Sequence, residues 1–212
     1  MSRWRRGAAS ALLSLTAVAL TQATPWTPEE IRDYVTSGRY DAEIAHVTAE
    51  ATIWLQERVA RGGERLTLIC DLDETLFSNL PVFEKAGYDS RAAVWTEWEA
   101  RGEAPTIAPV AELLRTAREG GVQIVFLSGR SERRREITGQ NLRRAGIAEP
   151  FVLLLKPRDH VGTTGEFKRR ARQVLIADGA ALILNLGDQE SDFVGGLAER
   201  TFRLPNPFYL TH

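Results

Sequence analysis

The stretch LICDLDETLFSN, residues 68–79, sets three acids, Asp71, Asp73 and Glu74, within four positions directly after an apolar run. The run 66–70 carries no charge and reads as a strand buried on both faces. Like charges gathered at the end of such a strand repel, and desolvating an isolated carboxylate is costly. Charge concentrated there calls for a compensating partner.

Outward from this strand, short β-branched or leucine-rich runs recur at 122–127, 151–155, 181–186 and 201–204. Helical patterns at 110–119, 133–145 and 166–175 fall between most of them. Strands apolar on both faces alternating with helices predict an α/β fold with a parallel sheet covered by helices. Two helices precede it. Thr27-Pro28-Glu29-Glu30 has an N-cap hydroxyl, a first-turn proline and a glutamate at the third position, and Ile44, Val47, Ala51, Trp54, Leu55 and Val59 follow at helical spacing up to Gly62-Gly63.

In such folds the polar residues at the C-terminal ends of the strands form the site. The first run ends in Asp71-Leu72-Asp73-Glu74-Thr75, the second in Ser128-Gly129-Arg130, the third in Lys156-Pro157-Arg158-Asp159, and the fourth in Gly187-Asp188-Gln189-Glu190-Ser191-Asp192. General loop polarity accounts for one such end. It does not account for carboxylates on the first and fourth, a hydroxyl on the second and a lysine nearby. A hard divalent ion with oxygen ligands, Mg²⁺ above all, removes the cost of gathering acids from separate strands. A calcium loop of the EF-hand type is excluded, because Leu76 stands where that loop requires glycine.

Asp71-x-Asp73-x-Thr75, Ser128, Lys168 and Asp188, in this order, resemble the four motifs of the haloacid dehalogenase (HAD) superfamily of phosphatases. DLDETLFSN, FLSGRSERRREITGQNLRRAG, FKRRARQVL, LNLGDQESDF and RTFRLPNPFYL resemble more closely its secreted acid phosphatase branch, with the bacterial class B and C enzymes and the plant vegetative storage proteins. The likeness implies a three-layer, Rossmann-like HAD fold with a small helical cap insertion, here about 80–106, and N-terminal helices. It departs from the family pattern at Glu190, where an aromatic is common, and at Leu184, where glycine is usual.

Phosphate ester hydrolysis needs a nucleophile, a proton donor for the leaving oxygen and positive charge on the transferred group. The resemblance assigns Asp71 as nucleophile, forming an aspartyl phosphate, and Asp73 as the acid and then the base. It gives Mg²⁺ to the Asp71 side chain, the Asp73 main-chain carbonyl and Asp188, and the phosphoryl oxygens to Ser128, the Gly129 N–H and Lys168. Lys168, opening a helix 20 residues before Asp188, fits the lysine position better than Lys156, which ends the third strand. Asp192 either contacts metal-bound water or is a helix-start acid. Glu74 reads as a solvated or supporting acid. Phe83, Tyr88, Trp95 and Trp98 either line a leaving-group pocket or pack on the core.

Met1 to Ala23 has the layout of a secretory leader, with Arg3, Arg5 and Arg6, an apolar run at 8–20 and a small-residue cleavage site. The apolar run is shorter than the roughly 20 residues a spanning helix needs. Removing it takes three arginines and no acids, so the formal charge of −1 becomes −4 for one ordinary domain, 24–212. No basic nucleic-acid surface is suggested; the expected partner is a small-molecule phosphate ester, and an oligomer is compatible with the sequence. No lipid-attachment cysteine stands near the leader's end, so the expected product is periplasmic or secreted, without a membrane anchor after cleavage. Cys70, the only cysteine, reads as a small buried hydrophobe.

The expected function is therefore an exported, Mg²⁺-dependent phosphomonoesterase. A noncatalytic storage protein on the same fold and a phosphotransferase are its alternatives, and the presence of Asp71 disfavours the former. Other phosphatase chemistries lack their residues. There is no Arg-His-Gly element and no Cys-x5-Arg loop, and only His46, His160 and His212 are available for a histidine-rich dimetal site. His160 reads as a surface residue able to line the mouth.

Overall fold

The computed structural model describes residues 26–89, 95–147 and 149–210. The expected leader, 1–23, lies outside the described residues. Five strands, β1 (Leu66–Cys70), β2 (Gln123–Ser131), β3 (Val152–Lys156), β4 (Ala181–Gly187) and β5 (Arg200–Arg203), form one parallel sheet in the order β3-β2-β1-β4-β5. Each corresponds to one of the apolar runs. β2 extends past its apolar part because Ser131 still pairs with Lys156 of β3, after a register shift that begins at Ser128.

Among the described residues, seven α-helices accompany the sheet: α1 (Pro28–Thr36), α2 (Arg39–Ala60), α3 (Leu80–Lys85), α4 (Trp95–Arg101), α5 (Ala108–Glu119), α6 (Arg135–Arg144) and α7 (Thr164–Ala177). Alternation of side chains along β1 divides the core. Leu66, Leu68 and Cys70 pack on one face with Ala51 and Leu55 of α2 and with Leu113, Leu114 and Ala117 of α5. Ile69, with Val125 and Leu127 of β2, packs on the other face against Phe167, Ala171 and Leu175 of α7. The result is a three-layer α/β fold. Cys70 is fully buried, as read, and burial pushes its thiol well above the ordinary range. Among the described residues, no helix is long and apolar enough to cross a membrane.

Local sequence explains where the key helices start. Thr27 and Glu30 exchange backbone and side-chain hydrogen bonds at 2.7 and 3.3 Å in a capping box at α1. Thr163 and Glu166 do the same for α7 at 2.9 and 3.2 Å. Such a cap is worth about 1 kcal/mol. At α7 it also sets the height of Lys168, which follows within the next turn.

The stretch 80–106 holds α3 and α4. Of its described aromatics, Phe83 and Tyr88 belong to the core and Trp98 packs against it. Phe83 is fully buried and stacks on Phe208 with ring centroids 4.4 Å apart, and Tyr88 is buried too. Of the two open readings, core packing therefore holds for these residues. Trp95 contributes backbone to α4, and its side chain lies outside the described part of the structure.

Candidate active site

β1 is the centre of the sheet, and the chain builds β2 and β3 on one side of it before crossing to β4 and β5 on the other. The strand order thus reverses between β1 and β4, and the crevice above such a reversal is where open α/β sheets bind ligands. The two strands end level, since the Asp71 N–H donates to the Leu186 carbonyl at 3.0 Å. A cleft of about 290 Å³ opens at this edge. Asp71, Asp73, Ser128, Gly129, Lys168 and Asp188 all line it, so the six residues expected to act as catalyst, metal ligand or phosphate ligand meet at one edge. Arg130, Lys156, Glu99 and Tyr209 are also part of its wall.

Asp71, Asp188 and Asp192 are buried and each bring one carboxylate oxygen within 4.8 Å of the others. Lys168, 4 % exposed, lies among them, its Nζ donating to Asp71 Oδ1 at 2.5 Å and to Asp192. Burial opposes the lysine's charge, but Asp71 and Asp192 outweigh it and hold the ammonium above the ordinary lysine range. Burial also pushes the Asp71 carboxyl well up; Lys168 pulls against that, while Asp192 and Asp188 add to it. Asp188 rises to about 7, from burial first and Asp192 second, against hydrogen bonds from Asn206 and Gln189. One ammonium thus bridges two of the three acids, and Asp188 stands beside them without it in a buried cluster of oxygen donors. That donor set fits a hard divalent cation.

Asp192 reaches this cluster by folding back. Its Oδ2 accepts the backbone N–H groups of Asp188 and Gln189 at 3.0 and 2.8 Å, so it is a turn-start acid as well as a member of the acid cluster. Gly187 makes room for it, since a Cβ there would sit 2.5 Å from the Asp192 side chain. Arg172, fully buried, donates to the Asp192 and Val194 carbonyls at 2.6 Å, and Asn185 donates to the Asp192 carbonyl at 2.8 Å. Asp188 accepts from Thr75, Gln189 and Asn206 at 3.0, 2.6 and 2.7 Å. The segment after β5 is therefore part of the site's frame.

Asp73 turns away from the three-acid cluster. Arg130 grips it with two hydrogen bonds, Nε to Oδ2 at 2.8 Å and an η nitrogen to Oδ1 at 2.6 Å, and Asn79 Nδ2 donates to Oδ1 at 3.1 Å. Burial alone would raise the Asp73 carboxyl, but these partners hold it below the ordinary aspartate range. The two aspartates of the opening motif are thereby driven in opposite directions. Arg130 directly follows Ser128-Gly129, so its proximity to the site was legible, whereas its partner 57 residues away was not.

Glu74 corrects the solvated reading. It is fully buried at φ 53, a left-handed backbone conformation unusual outside glycine. That turn aims its carboxylate inward to accept from the Asn79 N–H at 2.8 Å, from Asn79 Nδ2 at 3.1 Å and from the Tyr209 hydroxyl. Burial and the adjacent Asp73 lift its carboxyl to about 8 despite those bonds.

Ser128 is buried at the cleft floor, its hydroxyl accepting the Arg130 N–H at 3.2 Å. Gly129 has a packing reason beside the expected one, because a Cβ there would meet Thr164 Cγ2 at 2.9 Å. Lys156 is half-buried, donates to Thr164 Oγ1 at 3.1 Å and faces the cleft. His160 is not among the cleft residues; its ring rests beside Phe167, with Nε2 3.1 Å from the Thr163 carbonyl oxygen.

The chain is 33 % identical over 203 residues to acid phosphatase 1 of Solanum lycopersicum, covering 91 % of this chain and 80 % of that one. It is 30 % identical over 184 residues to vegetative storage protein 1 of Arabidopsis thaliana, covering 84 % and 68 %. Its fold matches the class C acid phosphatase of Bacillus anthracis with a TM-score of 0.71 over 84 % of this chain and 83 % of that one, at 22 % identity. The family model for HAD superfamily subfamily IIIB, acid phosphatase, matches residues 5–212. With its acids and lysine assembled at the β1–β4 edge, the chain belongs to the subfamily IIIB acid phosphatases of the HAD superfamily, a family of phosphomonoester hydrolases.

Proposed function

We propose that the protein is an exported, Mg²⁺-dependent phosphomonoesterase that works through an aspartyl phosphate on Asp71. The observation that carries this reading is the buried convergence of Asp71, Lys168 and Asp188 beside Asp73 at one cleft. In the first half-reaction an Asp71 oxygen bonds to phosphorus as the ester P–O bond breaks, and the leaving oxygen takes a proton from Asp73 to depart as the alcohol. In the second, Asp73 takes a proton from water, whose oxygen bonds to phosphorus while the Asp71–phosphorus bond breaks. Inorganic phosphate leaves and both acids are restored.

Ser128, the Gly129 N–H and Lys168 are assigned to the phosphoryl oxygens. Mg²⁺, held by the Asp71 carboxylate, the Asp73 main-chain carbonyl and Asp188, would supply the charge that neutralises the transferred group and keeps Asp71 ionised. The upward push on Asp71 in its burial supports that requirement. Asp73 at rest beside Arg130 is ionised, which suits its role as base. An arriving phosphate dianion competes for the Arg130 guanidinium and so releases Asp73 to hold the proton its acid role needs.

The test is a panel of small phosphate esters assayed with Mg²⁺ and with chelator, comparing the parent with Asp71→Asn, Lys168→Met and Asp188→Asn. Turnover by the parent, lost in chelator and in all three variants, is the expected result. Full activity in Asp71→Asn removes the nucleophile assignment. A parent inert on every ester favours the storage reading, which the Arabidopsis relative's name raises. For export, the expected mature chain begins at Thr24, read by N-terminal sequencing of the protein recovered outside the cytoplasm.

A further inference from the structure

Asn79 occupies the N-cap of α3, yet its side chain makes no capping hydrogen bond. Asparagine is favoured at that position because its side-chain oxygen can accept a helix N–H. Here, at 1 % exposure, the side chain is committed elsewhere. Its Oδ1 accepts the Trp98 indole N–H at 2.6 Å, and its Nδ2 donates to Asp73 Oδ1 and Glu74 Oε2, each at 3.1 Å.

The three contacts agree on one orientation of the amide. An indole N–H can only donate, and the carboxylate of Asp73, held ionised by Arg130, can only accept. With its oxygen on Trp98, the amide must present its NH₂ to the two acids. Asp73 Oδ1 then receives both Asn79 and Arg130, whereas among the described residues Oδ2 receives the Arg130 Nε alone. Oδ2, which accepts one bond where Oδ1 accepts two, is the oxygen with a lone pair left to carry a transferable proton. Trp98 sits on α4, whose next residue, Glu99, lines the cleft.

We propose that Trp98 and Asn79 form a positioning relay, in which the 80–106 stretch, through one indole and one amide, sets the rotamer from which Asp73 delivers its proton. The relay rests on the reading of Asp73 as the acid. Neither Trp98 nor Asn79 touches the reacting atoms. Their effect must therefore appear where leaving-group protonation matters and vanish where it does not.

The experiment measures kcat/KM, which reports the steps through formation of the aspartyl phosphate, on 4-nitrophenyl phosphate and on benzyl phosphate. The first leaving group departs as an anion unaided; the second requires the proton. Trp98→Phe keeps the ring's packing and removes only the N–H, and Asn79→Ala removes the amide. The expected result in both is a loss of roughly 10- to 100-fold on benzyl phosphate, part of the 10²–10⁴ that a positioned acid contributes, with less than about 3-fold on 4-nitrophenyl phosphate. A fall by the same factor on both esters, as general structural damage produces, overturns the relay, and so does no fall on either. Asp73→Asn is the control. If it discriminates between the esters and the other two variants do not, the relay falls while the acid reading stands; if it does not discriminate, both fall.

Discussion

Replacing Lys168 by methionine tests the electrostatic frame of the site most directly. The substitution retains most of the buried aliphatic stem and deletes the ammonium that joins Asp71 and Asp192. Hydrogen bonds to charged groups are each worth about 1.5–3 kcal/mol. Removing one member of a buried ionic cluster costs about 3–5 kcal/mol, because the partner charges stay behind without compensation. A loss of that size is expected at about pH 8 in chelator, read from the shift of the urea midpoint at unchanged slope.

The stranded acids can escape by binding protons, which sets the sign of the pH effect. Burial already raises Asp71 above its ordinary 3.8, and losing Lys168 removes the main opposing influence. A raised acid keeps its proton in the folded state after the unfolded chain has released it, so stability falls as pH rises through that window. The deficit of Lys168→Met must therefore shrink by about pH 5, and Mg²⁺ must restore part of it at pH 8 by replacing the lost cation. A deficit under about 1 kcal/mol at pH 8, or one equal at both pH values, refutes the assignment of Lys168 as the cluster's counter-ion.

Two further outcomes follow from the same geometry. Asp188 and Glu74, lifted to about 7 and about 8 from ordinary values of 3.8 and 4.5, make the metal-free protein most stable near pH 4–5 and progressively weaker towards pH 8. Melting in chelator should drop by roughly 5–10 °C across that range, and Mg²⁺ should flatten the slope; a level profile in chelator contradicts the burial argument. Gly187→Ala forces Asp192 off the Asp188 and Gln189 N–H groups, with an overpacking cost of about 1–3 kcal/mol and weaker Mg²⁺ binding by calorimetry. Wild-type affinity in that variant means Asp192 has no part in shaping the cation site.

The layered sheet was legible in sequence because its signals are local. Five apolar runs with helical patterns between them follow from burial on both faces, and parallel strands put all their C-terminal ends on one side. The acids and hydroxyl sit directly after those runs, so Asp71, Ser128 and Asp188 were bound to share an edge once the strands paired. The capping pair Thr163 and Glu166 likewise announced the helix that carries Lys168.

What local pattern could not carry is which charge meets which across the chain. Arg130 on Asp73, Lys168 between Asp71 and Asp192, and Trp98 on Asn79 are contacts between separate segments, and each exists only because the sheet closes them into one volume. Glu74 is the plainest case. An acid next to two site aspartates reads as solvated or supporting, and one left-handed residue in the turn after β1 decides for the second by driving it inward, where Asn79 and Tyr209 receive it. Burial of a polar group depends on partners that folding supplies, and those partners lie 5 and 135 residues away. Sequence thus determined the kinds of groups at the strand ends, and tertiary structure determined their protonation, because desolvation and pairing are properties of the assembled volume.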